Sequence, residues 1–155
     1  MANHMYLFWV CIAAYAVHLL EELFFDWKSW ANKTLGLPAD SKHLYFVNAT
    51  AMMLGVCCAM ISWWHPEISL MFPAFLIVNA VFLHVLPAIS QKHFLPGLVS
   101  AILLLLPAAG KLYYGAYEDG KLSTQNIVVS ALGGVAFVIF VLLLVKMKDR
   151  LTYRA

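Results

Sequence analysis

Five long apolar runs, separated by short polar connectors, organise the chain. They cover about residues 5–25, 43–64, 68–90, 96–114 and 126–145, and each approaches the roughly 20 residues a helix needs to cross a bilayer. The connector at 26–42 reads DWKSWANKTLGLPADSK. Trp27 and Trp30 beside Lys28 and Lys33 predict a short interfacial helix at headgroup level. Gly36, Pro38 and Asp40 then predict a turn. Trp63-Trp64 forms an aromatic belt at the end of the second run, and His65-Pro66-Glu67 is a tight turn. Pro73 and Pro87 kink the third run or mark its ends. No internal repeat interrupts this plan, and no linker is long enough to divide it. The expectation is one all-α transmembrane domain over residues 1–155, an integral membrane bundle of five helices.

Composition agrees. Hydrophobic residues make up 63% of the chain and charged residues 12%, against roughly 25% charged in soluble domains. The net charge of +2 does not point to nucleic acid, because the basic residues sit in connectors and the tail. Lys28, Lys33, Lys42, Lys92, Lys146, Lys148, Arg150 and Arg154 fall on one side of the five-span plan, and Lys111 and Lys121 on the other. This bias predicts the N-terminus outside and the C-terminus in the cytoplasm, with a bacterial inner (plasma) membrane as the expected location. Cys11, Cys57 and Cys58 all lie in apolar runs and read as small buried hydrophobes. The first run is too long for the apolar core of a signal peptide, and residues 1–4 carry no weight in this reading.

A few polar residues break the apolar pattern. The first run contains YAVHLLEELFF at 15–25. A carboxylate near the centre of a membrane helix costs about 2.5–3.5 kcal/mol on insertion scales, so Glu21 and Glu22 need a partner. His18 shares a helix face with both, at i+3 and i+4, while the two glutamates lie about 100° apart. Tyr15 continues the His18–Glu22 stripe as a candidate donor. The predicted orientation places Asn48, Asn79, His84 and Ser100, from three other spans, in the same half of the membrane. Polar groups at such depth face a bundle interior or a wet cavity. In an α-helix Asn79 and His84 stand about 140° apart, so both reach one point only if the third span is distorted. The competing reading lets the glutamates reach water, since Glu22 lies three residues from the end of its run. His43, His65 and His93 sit at span ends and read as interfacial.

His18-Leu-Leu-Glu21-Glu22, the later His84 and FLPGLVS at 94–100 together resemble the HXXEE family of small membrane proteins. That family is described by an HXXEE motif, a further histidine and a YXPGXXT motif. Phe94 replaces the family tyrosine, so no hydroxyl role carries over to that position. Ser100 replaces the threonine and keeps its hydroxyl. The resemblance supports the choice of site residues and implies no reaction type.

Imidazole and carboxylate suit a mononuclear divalent ion, Zn, Fe or Mn. The expected ligands are His18, His84 and either Glu21 or Glu22, with the other glutamate as general base. Asn48, Asn79 and Ser100 are supporting polar groups. The leading expectation is a small metal-dependent membrane enzyme that turns activated water on a lipid or hydrophobic small-molecule substrate. The same ligands suit non-haem iron, and a metal-free acid/base isomerase or cyclase is a further alternative. A non-enzymatic metal- or proton-binding protein is another, and association into a homo-oligomer stays open.

Overall fold

The computed structural model describes residues 3–36 and 41–152. These residues are mostly helical with no strand among them, in the order α1 (Tyr6–Phe24), α2 (Trp27–Leu35), α3 (Ser41–Ile61), α4 (Pro66–Gln91), α5 (Leu98–Glu118) and α6 (Thr124–Thr152). All but α2 are long and apolar enough to cross a membrane. Pro38, Asp40 and Arg154, used above for a turn and for charge bias, lie outside the described residues.

The short helix α2 forms where the connector composition places it. Asp26 adopts a left-handed backbone conformation (φ 50°), and its carboxylate accepts from the Ser29 N–H at 3.3 Å. This side-chain cap satisfies a first-turn donor that has no partner within the helix. Gly36 ends α2 in the left-handed conformation that favours glycine. Trp27 and Ala31 pack on Leu44 of α3, which fixes α2 across that end of the bundle.

Most of the spans meet in one apolar core, in which Phe8, Phe72, Leu76, Leu105 and Leu112 are fully buried. α4 and α6 pack backbone to backbone at Gly134. A Cβ on Gly134 would stand 2.7 Å from the Phe75 backbone nitrogen, so only glycine fits there. Large apolar side chains such as Phe24, Met60, Ile89 and Leu132 face outward, as expected where the surrounding solvent is lipid.

Two spans depart from α geometry. Asn79–Val85 in α4 and Ala101–Leu105 in α5 are π-helical. Their hydrogen bonds reach five residues back, with the Leu86 N–H on the Val81 carbonyl and the Leu106 N–H on the Ala101 carbonyl. A proline follows each stretch closely, Pro87 and Pro107. Proline cannot donate to the carbonyl four residues before it, and a switch of register absorbs that defect. The two π-helical stretches pack against one another, beside the polar cluster.

At the opposite end of the bundle, the chain start is tied to the end of α5. Asp119 accepts from the His4 backbone N–H at 2.8 Å, pairs with His4 Nδ1 at 2.9 Å, and accepts from the Trp63 indole at 2.8 Å. His4 therefore has a structural partner that its sequence position does not reveal.

Candidate metal centre

His18 and Glu22 are one turn apart on α1, and both are buried, as the shared stripe predicts. His84 enters from α4 and is also fully buried. The Glu22 Oε1 atom lies 3.5 Å from His18 Nε2 and 3.4 Å from His84 Nε2. One ligand atom from each of the three lies within 4.8 Å of the others. A charge-assisted N–H···O bond is shorter, about 2.7–2.9 Å. A tetrahedral ion with bonds of about 2.0–2.1 Å instead sets its ligand atoms about 3.3 Å apart. The Glu22–imidazole spacings match the second figure.

The remaining polar groups decide which nitrogen each ring presents. His84 Nδ1 lies 2.9 Å from the carbonyl oxygen of Pro96. A carbonyl only accepts, so Nδ1 carries a proton, and in the neutral form of the ring the nitrogen turned toward Glu22, Nε2, is the one with the lone pair. That Nε2 is buried and has no hydrogen-bond partner. On His18, Nδ1 lies 2.8 Å from Ser100 Oγ. The Ser100 hydroxyl leans in turn on the Gly97 carbonyl at 3.4 Å. With the serine donating there, His18 Nδ1 donates to the serine, and in the neutral ring Nε2 keeps the lone pair, with the Asn79 amide 3.4 Å away. Metal-binding histidines commonly have the second ring nitrogen anchored in this way.

Gly97 makes room for both rings. Its φ is +84°, and a Cβ there would stand 2.6 Å from His84 Cε1 and 2.8 Å from His18 Cε1. The Pro-Gly-x-x-Ser stretch thus supplies a carbonyl for one histidine, a hydroxyl for the other and the gap between them. α5 begins at Leu98, so Pro96 lies just before the helix. Its contribution is its carbonyl, which no residue pattern reveals.

Glu21 is not part of the three-residue group. Its carboxylate accepts from the backbone N–H groups of Val99 at 3.1 Å and Ser100 at 2.7 Å. Gly97 has no side chain to cap α5, so a carboxylate from α1 does so across the interface. Tyr15 stacks on His18, with ring centroids 6.0 Å apart at 27°. Asn79 Nδ2 lies 3.4 Å from His18 Nε2. Asn79 and His84 reach the same cluster because a π-helix closes its hydrogen bond at i+5, which brings residue 84 nearly over residue 79. The distortion that the sequence requires of this span is therefore present. Asn48 lies on the wall of a cavity that also contains Glu22, Asn79 and Tyr15. His65 and His93 are exposed at span ends.

A model of the family described as "Protein of unknown function with HXXEE motif" matches residues 9–111. The chain belongs to the HXXEE family. The match runs from α1 into α5 and so takes in every residue of the HXXEE cluster described above. The chain is also similar to the "Uncharacterized protein YrkK" of Bacillus subtilis (strain 168), 24% identical over 148 residues, which cover 90% of this chain and 93% of that one. No solved structure matches.

Proposed function

We propose that this HXXEE protein binds one divalent ion through His18 Nε2, Glu22 Oε1 and His84 Nε2 and is a small membrane enzyme acting on a lipid or hydrophobic small molecule. The observation that carries the reading is the buried Nε2 of His84, which has no hydrogen-bond partner and is held 3.4 Å from Glu22 Oε1 by the bond from Nδ1 to Pro96. A buried polar atom left without a partner costs about 1–3 kcal/mol, and an ion removes that cost. Three protein ligands with an open position are the pattern of catalytic rather than structural zinc sites. A divalent ion there supplies Lewis acidity and lowers the pKa of a water ligand toward about 7. The chain's own residues do the rest. Ser100 and Pro96 hold the imidazoles, Asn79 offers an amide beside His18, and Glu22 borders the cavity from which water would reach the site. The lysine and arginine bias supports a centre in the cytoplasmic half of a bacterial inner membrane.

The two-histidine, one-carboxylate set also fits non-haem iron, so the metal analysis distinguishes the readings. Protein purified in mild detergent is analysed for zinc, iron and manganese, alongside Glu22→Gln and His84→Ala. The expected result is about one ion per chain in the parent and loss of at least about tenfold in affinity in each variant, since removing even a group that only supports a ligand costs about 10–100-fold. Folded parent protein that takes up no ion when any of the three metals is supplied would sink the reading.

A further inference from the structure

Three spaces border the cluster, and they differ in chemistry. A cavity of about 40 Å³ lies between α1, α3, α4 and α6, with Tyr15, Glu22, Asn48 and Asn79 as its polar wall. That is room for about two or three waters. A vestibule of about 190 Å³, lined by Glu22, Asp26, Lys28 and Ser41, lies beside α2. Trp27, Leu44 and Glu22 line both spaces. A groove of about 460 Å³, almost wholly apolar, lies on the outer surface of α1 and α5 at Glu21, Phe25, Phe94 and Leu103.

The groove meets the cluster on its closed side. Ser100 forms part of its wall, and Ser100 occupies Nδ1 of His18, the ring nitrogen turned away from Glu22. The cavity meets the cluster on the other side, at Glu22 and at Asn79, whose amide faces His18 Nε2. Water or a ligand bound for an ion held by the two Nε2 atoms and Glu22 would approach from this side.

Between cavity and vestibule stand the Trp27 ring and Leu44, both buried. The Trp27 indole N–H is buried without a hydrogen-bond partner, so the ring gives up no hydrogen bond when it swings. Asp26 just before it holds a left-handed conformation that costs a non-glycine residue about 1–3 kcal/mol.

We propose that the cavity is the ligand chamber of this centre and that Trp27 and Leu44 form its door to the vestibule beside α2. Two amides and a phenol make the chamber neutral apart from Glu22. In the volume present it takes water or the oxygen end of a small neutral carbonyl or alcohol, and it disfavours an anion. The proposal rests on the metal reading above.

The test loads the purified protein with Co²⁺, whose visible absorption reports bound metal, and follows loss to excess EDTA. Trp27→Ala is expected to release metal about tenfold faster at unchanged stoichiometry, a modest lowering of the barrier. Trp27→Phe keeps a ring in the door and is expected to stay near the parent rate. Asn48→Leu fills the chamber and slows release. Leu103→Ala opens only the outer groove and leaves the rate unchanged. Full stoichiometry with equal rates in the parent and both Trp27 variants overturns the chamber and leaves the metal reading standing. Faster release from Leu103→Ala than from Trp27→Ala does the same. No bound cobalt in the folded parent overturns both.

Discussion

The carboxylate of Glu21 grips the backbone N–H of Ser100 at 2.7 Å, across the interface between the first and fourth membrane-length helices. It holds the Val99 N–H as well. The adjacent glutamates therefore face different partners, as their separation of about 100° on α1 requires. Glu22 faces the imidazoles, and Glu21 fixes the helix start that carries Pro96, Gly97 and Ser100. Glu21→Ala leaves two N–H groups without that acceptor and is expected to lower stability by about 1–3 kcal/mol. Glu21→Gln keeps one acceptor oxygen and loses less. Both are expected to retain about one ion per chain when folded, whereas Glu22→Gln loses it. Denaturation in mixed detergent, run beside metal analysis, reads the two effects separately. Loss of metal from folded Glu21→Gln with Glu22→Gln still loaded would reverse the assignment.

Gly97 is the least replaceable residue of the loop. A methyl group there meets both imidazoles at under 3 Å in a backbone conformation with φ +84°. The conformation alone costs a non-glycine residue about 1–3 kcal/mol, and the rings have no slack because Ser100 and Pro96 anchor them. Gly97→Ala is expected to weaken metal binding by about 10–100-fold, the range seen when ligand support is removed, and to lower thermal stability as well. Competition with a chromophoric chelator measures the affinity. An unchanged affinity would mean that the loop moves freely from the rings.

The spans were legible because a run of about 20 apolar residues has few other stable homes. The gathering of His18, Glu22, Asn79, His84 and Ser100 was legible too, because the orientation expected from lysine and arginine puts them in one half of the membrane. Burial of Glu22 and its spacing to two imidazoles favour the cluster over a glutamate reaching for water. The meeting of Asn79 with His84 was legible only as a condition, because α-helical geometry separates them and a change to π register has no residue code. Pro87 and Pro107, each just after a π-helical stretch, are the one local signal. The Pro96 carbonyl and the His4–Asp119 pairing were not legible. The first is a backbone atom, and the second joins residues 115 positions apart.

Ser100 stands where the family motif has threonine, and its hydroxyl is the only part used in the contact with His18 Nδ1. Ser100→Ala is expected to free that nitrogen, loosen the ring's tautomer and weaken metal binding by about 10–100-fold. Ser100→Thr keeps the hydroxyl and is expected to hold metal near the parent level. Both affinities come from the same chelator competition. Equal affinities for alanine and serine would show that the ring is positioned by packing alone.

The opposite end of the bundle gives a pH-dependent prediction. Burial raises the Asp119 pKa, but the His4 backbone N–H, the His4 ring and the Trp63 indole outweigh it and hold the carboxyl below its ordinary value of 3.8. A carboxyl with a depressed pKa in the folded state stabilises the fold above its unfolded pKa. That contribution fades as pH falls through the lower folded value. Asp119→Asn lacks this titration and weakens the contacts to His4 and Trp63. Thermal unfolding in detergent is therefore expected to show the parent more stable than Asp119→Asn at pH 6. The gap should narrow steadily below about pH 4, where the unfolded chain begins to bind the proton. A gap that stays constant from pH 6 to pH 3 would show that the carboxylate's charge contributes nothing to tying the chain start to α5.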